Sequence, residues 1–297
     1  MSFCTRLALA FSGAMLASAC TTGVIPSSPA SETGPIERPP VGRFSFRGAM
    51  AQGGLLYGTA PPGTVSVSLD GKVIPLAADG QFLIGLGRDA EAQATVDATL
   101  ANGSHVRQLL QITPRQWDIQ SLPTLARGTT PTPEFLARRK IELERIVTAR
   151  AIRSGSEGWR QRFVWPVTGR ISGVFGSQRI YAGEPGAPHS GVDVARPAGT
   201  PVAAPADGVV ILAAEAPFTL EGNLLMIDHG MGLNSAFLHL SRIDVRVGDR
   251  VTRGQIVGAI GATGRATGPH LHWGMMWNGV RIDPQPLAGP MPTALTP

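Results

Sequence analysis

Five of the six histidines of this 297-residue chain lie beyond Trp159, at His189, His229, His239, His270 and His272. His189-Ser-Gly-Val-Asp193 places a carboxylate four residues after an imidazole. On a straight strand, positions i and i+4 share a face but stand about 13 Å apart. A single ion collects both only if the chain bends between them, and Ser190-Gly191 supplies the bend. His270-Leu-His272 has period two, so on a strand both rings share a face while Leu271 turns to the core. On a helix the same rings would diverge by about 200°. Pro269, Leu271 and Trp273 favour the strand. His239 sits in Ala236-Phe-Leu-His-Leu240, which reads as a buried strand where an imidazole is costly without a partner.

His, Asp and His are the donor set of a catalytic zinc site, with three protein ligands and a fourth place open. His239 and His270 then flank it. The two cysteines, Cys4 and Cys20, lie at the N-terminus, which excludes a closed thiolate site and a disulfide-stapled fold in the rest of the chain. His105, beside a hairpin turn, is expected to be a surface residue without a role.

Composition removes other chemistries. Basic residues number 26 against 21 acidic, a formal +5, but the only lysines are Lys72 and Lys140. Schiff-base enzymes, P-loops and lysine-linked carriers are thereby excluded from the second half. Gly248-Asp-Arg-Val-Thr-Arg-Gly-Gln255 has the turn pattern of biotinyl and lipoyl carriers without an acceptor lysine. Gly261-Ala-Thr-Gly264-Arg-Ala-Thr-Gly268 lacks the Lys-Ser/Thr of a phosphate cradle and reads as a glycine turn shaping the site.

The elements that must position these residues are mostly β. Thr64–Leu69 alternates with period two into Asp70-Gly71, a hairpin signal, and further short strands follow to Ile112. Residues 41–126 are expected to form a small N-terminal β-sandwich. Residues 127–158 form a connecting helical linker, with the helix running from Pro133 to about Ser154. Thr132 caps it, Pro133 suits its first position, and Gly155 closes it. Leu136, Leu143 and Val147 line one side, and Arg138, Arg139, Arg145 and Arg153 are expected to form a solvated face. Residues 159–290 make the C-terminal domain and 291–297 a tail. At the other end, residues 1–19 read as an export signal: Arg6, the apolar run Leu7–Leu16, then small residues. Leu16-Ala-Ser-Ala-Cys20 resembles a bacterial lipoprotein box, with Cys20 the lipidated residue, while Ala17-Ser-Ala19 also reads as the ordinary A-x-A cleavage site of a secreted protein. Residues 20–40, with five prolines, read as a flexible tether.

From Phe163 to Pro286 the chain resembles the lysostaphin and LytM-type zinc metallopeptidases, the M23 family of peptidoglycan endopeptidases. The likeness rests on Gly173-Val-Phe-Gly176, His189-Ser-Gly-Val-Asp193, Gly199-Thr-Pro-Val202, Ala206-Asp-Gly-Val209, Ile227-Asp-His-Gly230, His239-Leu-Ser241, Gly248-Asp-Arg-Val251 and Gly268-Pro-His-Leu-His272, in that order. It implies an antiparallel β-sheet or barrel-like metallopeptidase domain holding one Zn2+ through His189, Asp193 and His272. His239 and His270 match the two catalytic histidines that are not ligands. Where many relatives carry a tyrosine two residues before the strand histidine, this chain has Phe237, with Tyr181 the one candidate substitute. Retention of all five residues argues against the branch of the family that lost its metal and activates other wall enzymes. The resemblance implies a peptidoglycan peptide substrate and an envelope or periplasmic address, held at a membrane through Cys20. No nucleic-acid partner is expected.

Overall fold

The alternation in Thr64–Leu69 turns at Asp70 and Gly71, whose φ values of 47° and 78° are the left-handed pair that a two-residue hairpin requires. Leu69 accordingly pairs with Lys72. The computed structural model describes residues 42–126 and 131–292. The expected signal segment, Cys20, the tether and most of the tail lie outside the described residues.

Strands β1 (Ser45–Gly48), β2 (Leu55–Thr59), β3 (Thr64–Leu69), β4 (Lys72–Ile74), β5 (Gln81–Gly85), β6 (Gln93–Leu100) and β7 (His105–Gln111) form two antiparallel sheets, ordered β1-β2-β5 and β4-β3-β6-β7. Leu56, Phe82 and Ile84 of the first and Val67, Val96 and Leu110 of the second are buried in one core, the packing of a small sandwich. His105 is on the surface beside Asp97. β8 (Ile119–Leu122) leaves this region to pair with a later strand.

Helix α1 (Pro133–Ala151) starts as expected, with Thr132 Oγ1 accepting the N–H of Phe135 at 3.2 Å. It ends three residues early. Ile152 is extended, and Asp228 Oδ2 captures both the N–H and the hydroxyl of Ser154, at 2.9 and 2.6 Å. The packed face also differs from the expected one. Glu142, Ile146 and Ala149 are buried, while Leu136, Leu143 and Val147 are 55%, 45% and 66% exposed. Charge decides this outcome. Arg139 and Glu142 both find partners on the next region, so the helix turns its polar side inward there.

The C-terminal region contains β9 (Arg170–Gly173), β10 (Gln178–Tyr181), β11 (Glu184–Pro185), β12 (Gly191–Ala195), β13 (Pro201–Ala203), β14 (Gly208–Ala213), β15 (Asn223–Gly230), β16 (Leu233–Ile243), β17 (Arg250–Val251), β18 (Ile256–Ile260), β19 (His270–Trp277) and β20 (Val280–Ile282). A short α2 (Gln285–Ala288) follows. Ten of these strands make one antiparallel sheet with the central order β17-β14-β15-β16-β19-β12-β9. β13 pairs with β18, β18 with β16, and β20 with β19, and the sheet does not close into a barrel. β10 pairs with β11 and, in parallel, with β8.

The two β regions share a core. Residues of both join one apolar cluster, and a Cβ on Gly85 would press on Trp277 and Ile282 at 3.1–3.2 Å. Arg115 adds an ion pair at 2.9 Å to Asp283, a carboxylate only 2% exposed.

Candidate metal and catalytic site

Strand order brings the chemistry together. β12 and β19 are neighbours in register, with Asp193 opposite His272. β16 lies on the other side of β19, with Leu238 opposite His272. His270 and His272 therefore share a face of β19, and Leu271 is fully buried on the other. His189 precedes β12, which begins at Gly191, so the chain bends where Ser190-Gly191 predicts. His189 Nε2 stands 3.1 Å from Asp193 Oδ1 and 3.0 Å from His272 Nδ1, while His272 Nδ1 is 2.9 Å from the same carboxylate oxygen. These separations approach the edge of about 3.3 Å in a tetrahedron with 2 Å bonds.

The donor orientations fit a metal ion. His189 Nδ1 donates to Val174 O at 3.0 Å, which leaves the Nε2 lone pair facing inward. His272 Nε2 lies 3.4 Å from Ser190 Oγ; donation there leaves Nδ1 facing inward too. Hydrogen bonds of this kind fix the tautomer and ring plane of metal-binding histidines. Two imine lone pairs and a carboxylate oxygen then converge on one spot, which only a cation stabilises. Burial disfavours the charged form of Asp193, but the neighbouring His189 and His272 rings overcome it and hold the carboxyl well below its usual range. Burial also lowers the His272 value, against the pull of Asp193. At Gly173 on β9, a Cβ would stand 2.5 Å from Asp193 Oδ2 and 3.2 Å from His189 Cε1, so the site requires a residue without one.

The other two histidines lie beside this cluster. The His239 and His270 ring centroids are 4.8 Å apart, His239 lies 6.4 Å from His272, and His270 Nε2 is 3.9 Å from Asp193 Oδ1. Each donates Nδ1–H to a backbone carbonyl at 2.8 Å: His239 to Thr263 and His270 to Gly268. Both Nε2 atoms are thereby left as bases. Burial lowers the His239 value, which keeps the ring neutral. His239 has φ of 64°, uncommon for a residue with a side chain, so its surroundings impose its conformation.

Those surroundings were not legible in the sequence. Glu221 O accepts the His239 N–H at 2.8 Å. The Glu221 carboxylate is held in a bidentate pair by Arg139 of α1, both contacts 2.6 Å. Glu142, one turn on, accepts the N–H and the hydroxyl of Thr219 at 2.7 Å each. The His189 side has a parallel arrangement. His189 N–H donates to Ser177 O, and Gly176 N–H to His189 O. Arg88 of the N-terminal region donates to Gly176 O at 2.9 Å, and the Trp117 ring covers Gly176 where a Cβ would collide with it. Backbone carbonyls carry no residue-type signal, and Arg139 and Glu221 are 82 positions apart, so no local pattern marks these partners.

His229 is separate from the site. It is fully buried, with Nδ1 donating to Asp207 O and Nε2 accepting from Ser235 Oγ, each at 2.8 Å. Burial pushes its pKa down to about 4. Phe237 is core, opposite Trp273. Tyr181 lies on β10, and among the described residues no hydrogen bond joins it to the five site residues.

A metal-donor triad beside two fixed imidazole bases, four of the five residues on one open antiparallel sheet and His189 in the turn before it, defines the class of a metal-assisted acid–base site. The chain matches the family described as Peptidase family M23 over residues 187–284. It is 39% identical over 136 residues to peptidoglycan DD-endopeptidase ShyA of Vibrio cholerae, covering 46% of this chain and 31% of ShyA. It is 41% identical over 104 residues to DD-carboxypeptidase/endopeptidase Mpg of Neisseria meningitidis, covering 35% of this chain and 24% of Mpg. The chain thus spans less than a third of the length of these curated relatives. A solved structure of a putative peptidase M23 from Pseudomonas aeruginosa is 29% identical, covers 80% of this chain and 95% of its own, and superposes with a TM-score of 0.62. That likeness extends well beyond residues 187–284.

Proposed function

We propose that the chain is a zinc metalloendopeptidase that hydrolyses peptide cross-links or stem peptides of peptidoglycan. The observation that carries the proposal is the convergence of His189 Nε2, Asp193 Oδ1 and His272 Nδ1 within 3.1 Å of one another. These three residues would hold a zinc ion, which when bound would supply Lewis-acid polarisation of the scissile carbonyl and a lowered pKa for water. The Nε2 atoms of His239 and His270 do the proton work. One accepts the proton of the attacking water, and the other hydrogen-bonds the developing oxyanion or delivers a proton to the leaving amine. Their Nδ1–H bonds to Thr263 O and Gly268 O keep both rings in the tautomer this requires. Peptidoglycan as substrate rests on the named activities of ShyA and Mpg together with the family match.

The N-terminal signal pattern supports export, and Leu16-Ala-Ser-Ala-Cys20 supports lipidation at Cys20, which would tether the enzyme at a membrane within reach of the wall. Residues 41–126 act as an accessory β domain and 127–158 as the link to the peptidase domain, 159–290. The test is elemental analysis of the purified protein and mass spectrometry of fragments released from purified sacculi. One equivalent of zinc and new peptide termini are expected. Protein that binds no metal and leaves sacculi intact would refute the assignment.

A further inference from the structure

Beside the metal-donor cluster, between α1 and the face of the sheet that carries His272, lies a cavity of about 100 Å3. Ser190, His272 and Gly274 line it together with Arg150, Arg281 and Asn234. Two of its polar wall atoms are buried without a hydrogen-bond partner, Arg150 Nε and Asn234 Oδ1. Among the described residues, neither Arg150 nor Arg281 makes a side-chain hydrogen bond or ion pair. Arg139 and Glu221 also reach the cavity, but they are committed to each other. The unneutralised charge on the wall is therefore that of two guanidinium groups on different elements, α1 and β20.

Like charges do not gather in a partly buried space without cost. Burial and the nearby Arg281 lower the pKa of Arg150 to about 10, against the pull of the Glu221 carboxylate, so the folded protein holds that charge at a disadvantage. A guanidinium presents a planar fork of N–H donors matched to a carboxylate, and a second one close by strengthens the match. A cationic pair with unused donors, Arg150 half-buried and Arg281 exposed, on the wall of a cavity that His272 also lines, fits an anionic group on whatever the site binds.

We propose that Arg150 and Arg281 form a subsite for a substrate carboxylate in the cavity that His272 also lines, at a distance along the bound peptide from the scissile bond, and that they set the enzyme's preference among peptide stems. The inference rests on the peptidase reading above. In the stem peptide the carboxylate belongs either to the side chain of the diamino acid or to the chain terminus, and both present the same fork acceptor.

The test uses the full chain loaded with zinc and four synthetic stem-peptide substrates: all carboxylates free, side-chain carboxylate amidated, terminal carboxylate amidated, and both amidated. Wild-type enzyme is expected to prefer one free carboxylate by roughly 10- to 100-fold in kcat/KM, the value of a charge-assisted pair. Whichever single amidation removes the preference identifies the source. Arg150→Met and Arg281→Met should each lose most of that ratio, while turnover of the doubly amidated peptide stays within about twofold. Arg150→Lys should retain part of it. The ratio is internal to each variant, so a loss of folded protein does not mimic the effect. Hydrolysis of all four peptides at one rate, or an unchanged ratio in both Met variants, overturns the subsite and leaves the peptidase reading standing. No hydrolysis of any peptide by the wild type overturns the peptidase reading itself.

Discussion

The two sides of the site are supported from different parts of the chain. On the metal-donor side, His189 is held by the turn Val174–Ser177, which is braced by Arg88 and Trp117 of the N-terminal β region. On the base side, His239 is held through Glu221 by Arg139 of α1, and through the Thr263 carbonyl. The five proposed site residues lie within 187–284, but both braces begin outside that segment. The comparison shows a site whose ligand arm and base arm have separate foundations, so each can be weakened without the other.

The largest contrast comes from the arms themselves. His189→Ala or His272→Ala should abolish bound metal and turnover together. His239→Ala should keep its metal and lose about 10²- to 10⁴-fold in kcat, the usual worth of a positioned general base. Metal content by elemental analysis beside single-turnover rates separates these cases. Loss of zinc from His239→Ala would merge the two arms into one.

The foundations come next. Arg88→Ala should weaken zinc affinity by roughly 10- to 100-fold, as removal of groups that orient a ligand does, with kcat recovered at saturating zinc. Arg139→Ala should leave zinc affinity unchanged and lower kcat on the order of 10- to 100-fold, because Glu221 no longer fixes His239. Arg139→Lys, which cannot reproduce the bidentate fork, should recover only part of the loss. Zinc titration with a competing chelator measures one parameter and steady-state kinetics the other. If the two variants exchange phenotypes, the separation of supports fails.

The smallest effect concerns His229, which belongs to neither arm. Its folded pKa of about 4 lies below the ordinary 6.5. Between those values the unfolded chain binds a proton that the folded protein excludes, so stability is full above pH 6.5 and declines as pH falls towards 4. The loss amounts to at most about 3 kcal/mol. Denaturant unfolding at pH 7 and pH 4.5 should show a shallower decline for His229→Gln than for the wild type. Equal declines would show that His229 does not carry this pH dependence.

Much of this was written in local sequence. The period-two spacing of His270 and His272 placed both rings on one strand face. Gly191 marked the bend that lets His189 return to Asp193, and Asp70-Gly71 fixed a hairpin. Such signals are short-range, because backbone dihedrals and strand alternation act over a few residues. The packed face of α1 departs from its local pattern for the opposite reason. Leu136, Leu143 and Val147 have the spacing of a buried stripe, but Glu142 and Arg139 gain partners 77 and 82 residues away, which no local pattern encodes.

The sequence alone determined the types and order of the five proposed site residues and the strands that carry four of them. The tertiary structure decided their distances and tautomers, because each ring proton is set by a carbonyl or hydroxyl brought up from another segment. It also decided that Arg150 and Arg281 share one cavity wall, since burial and unpaired charge exist only once distant parts of the chain meet.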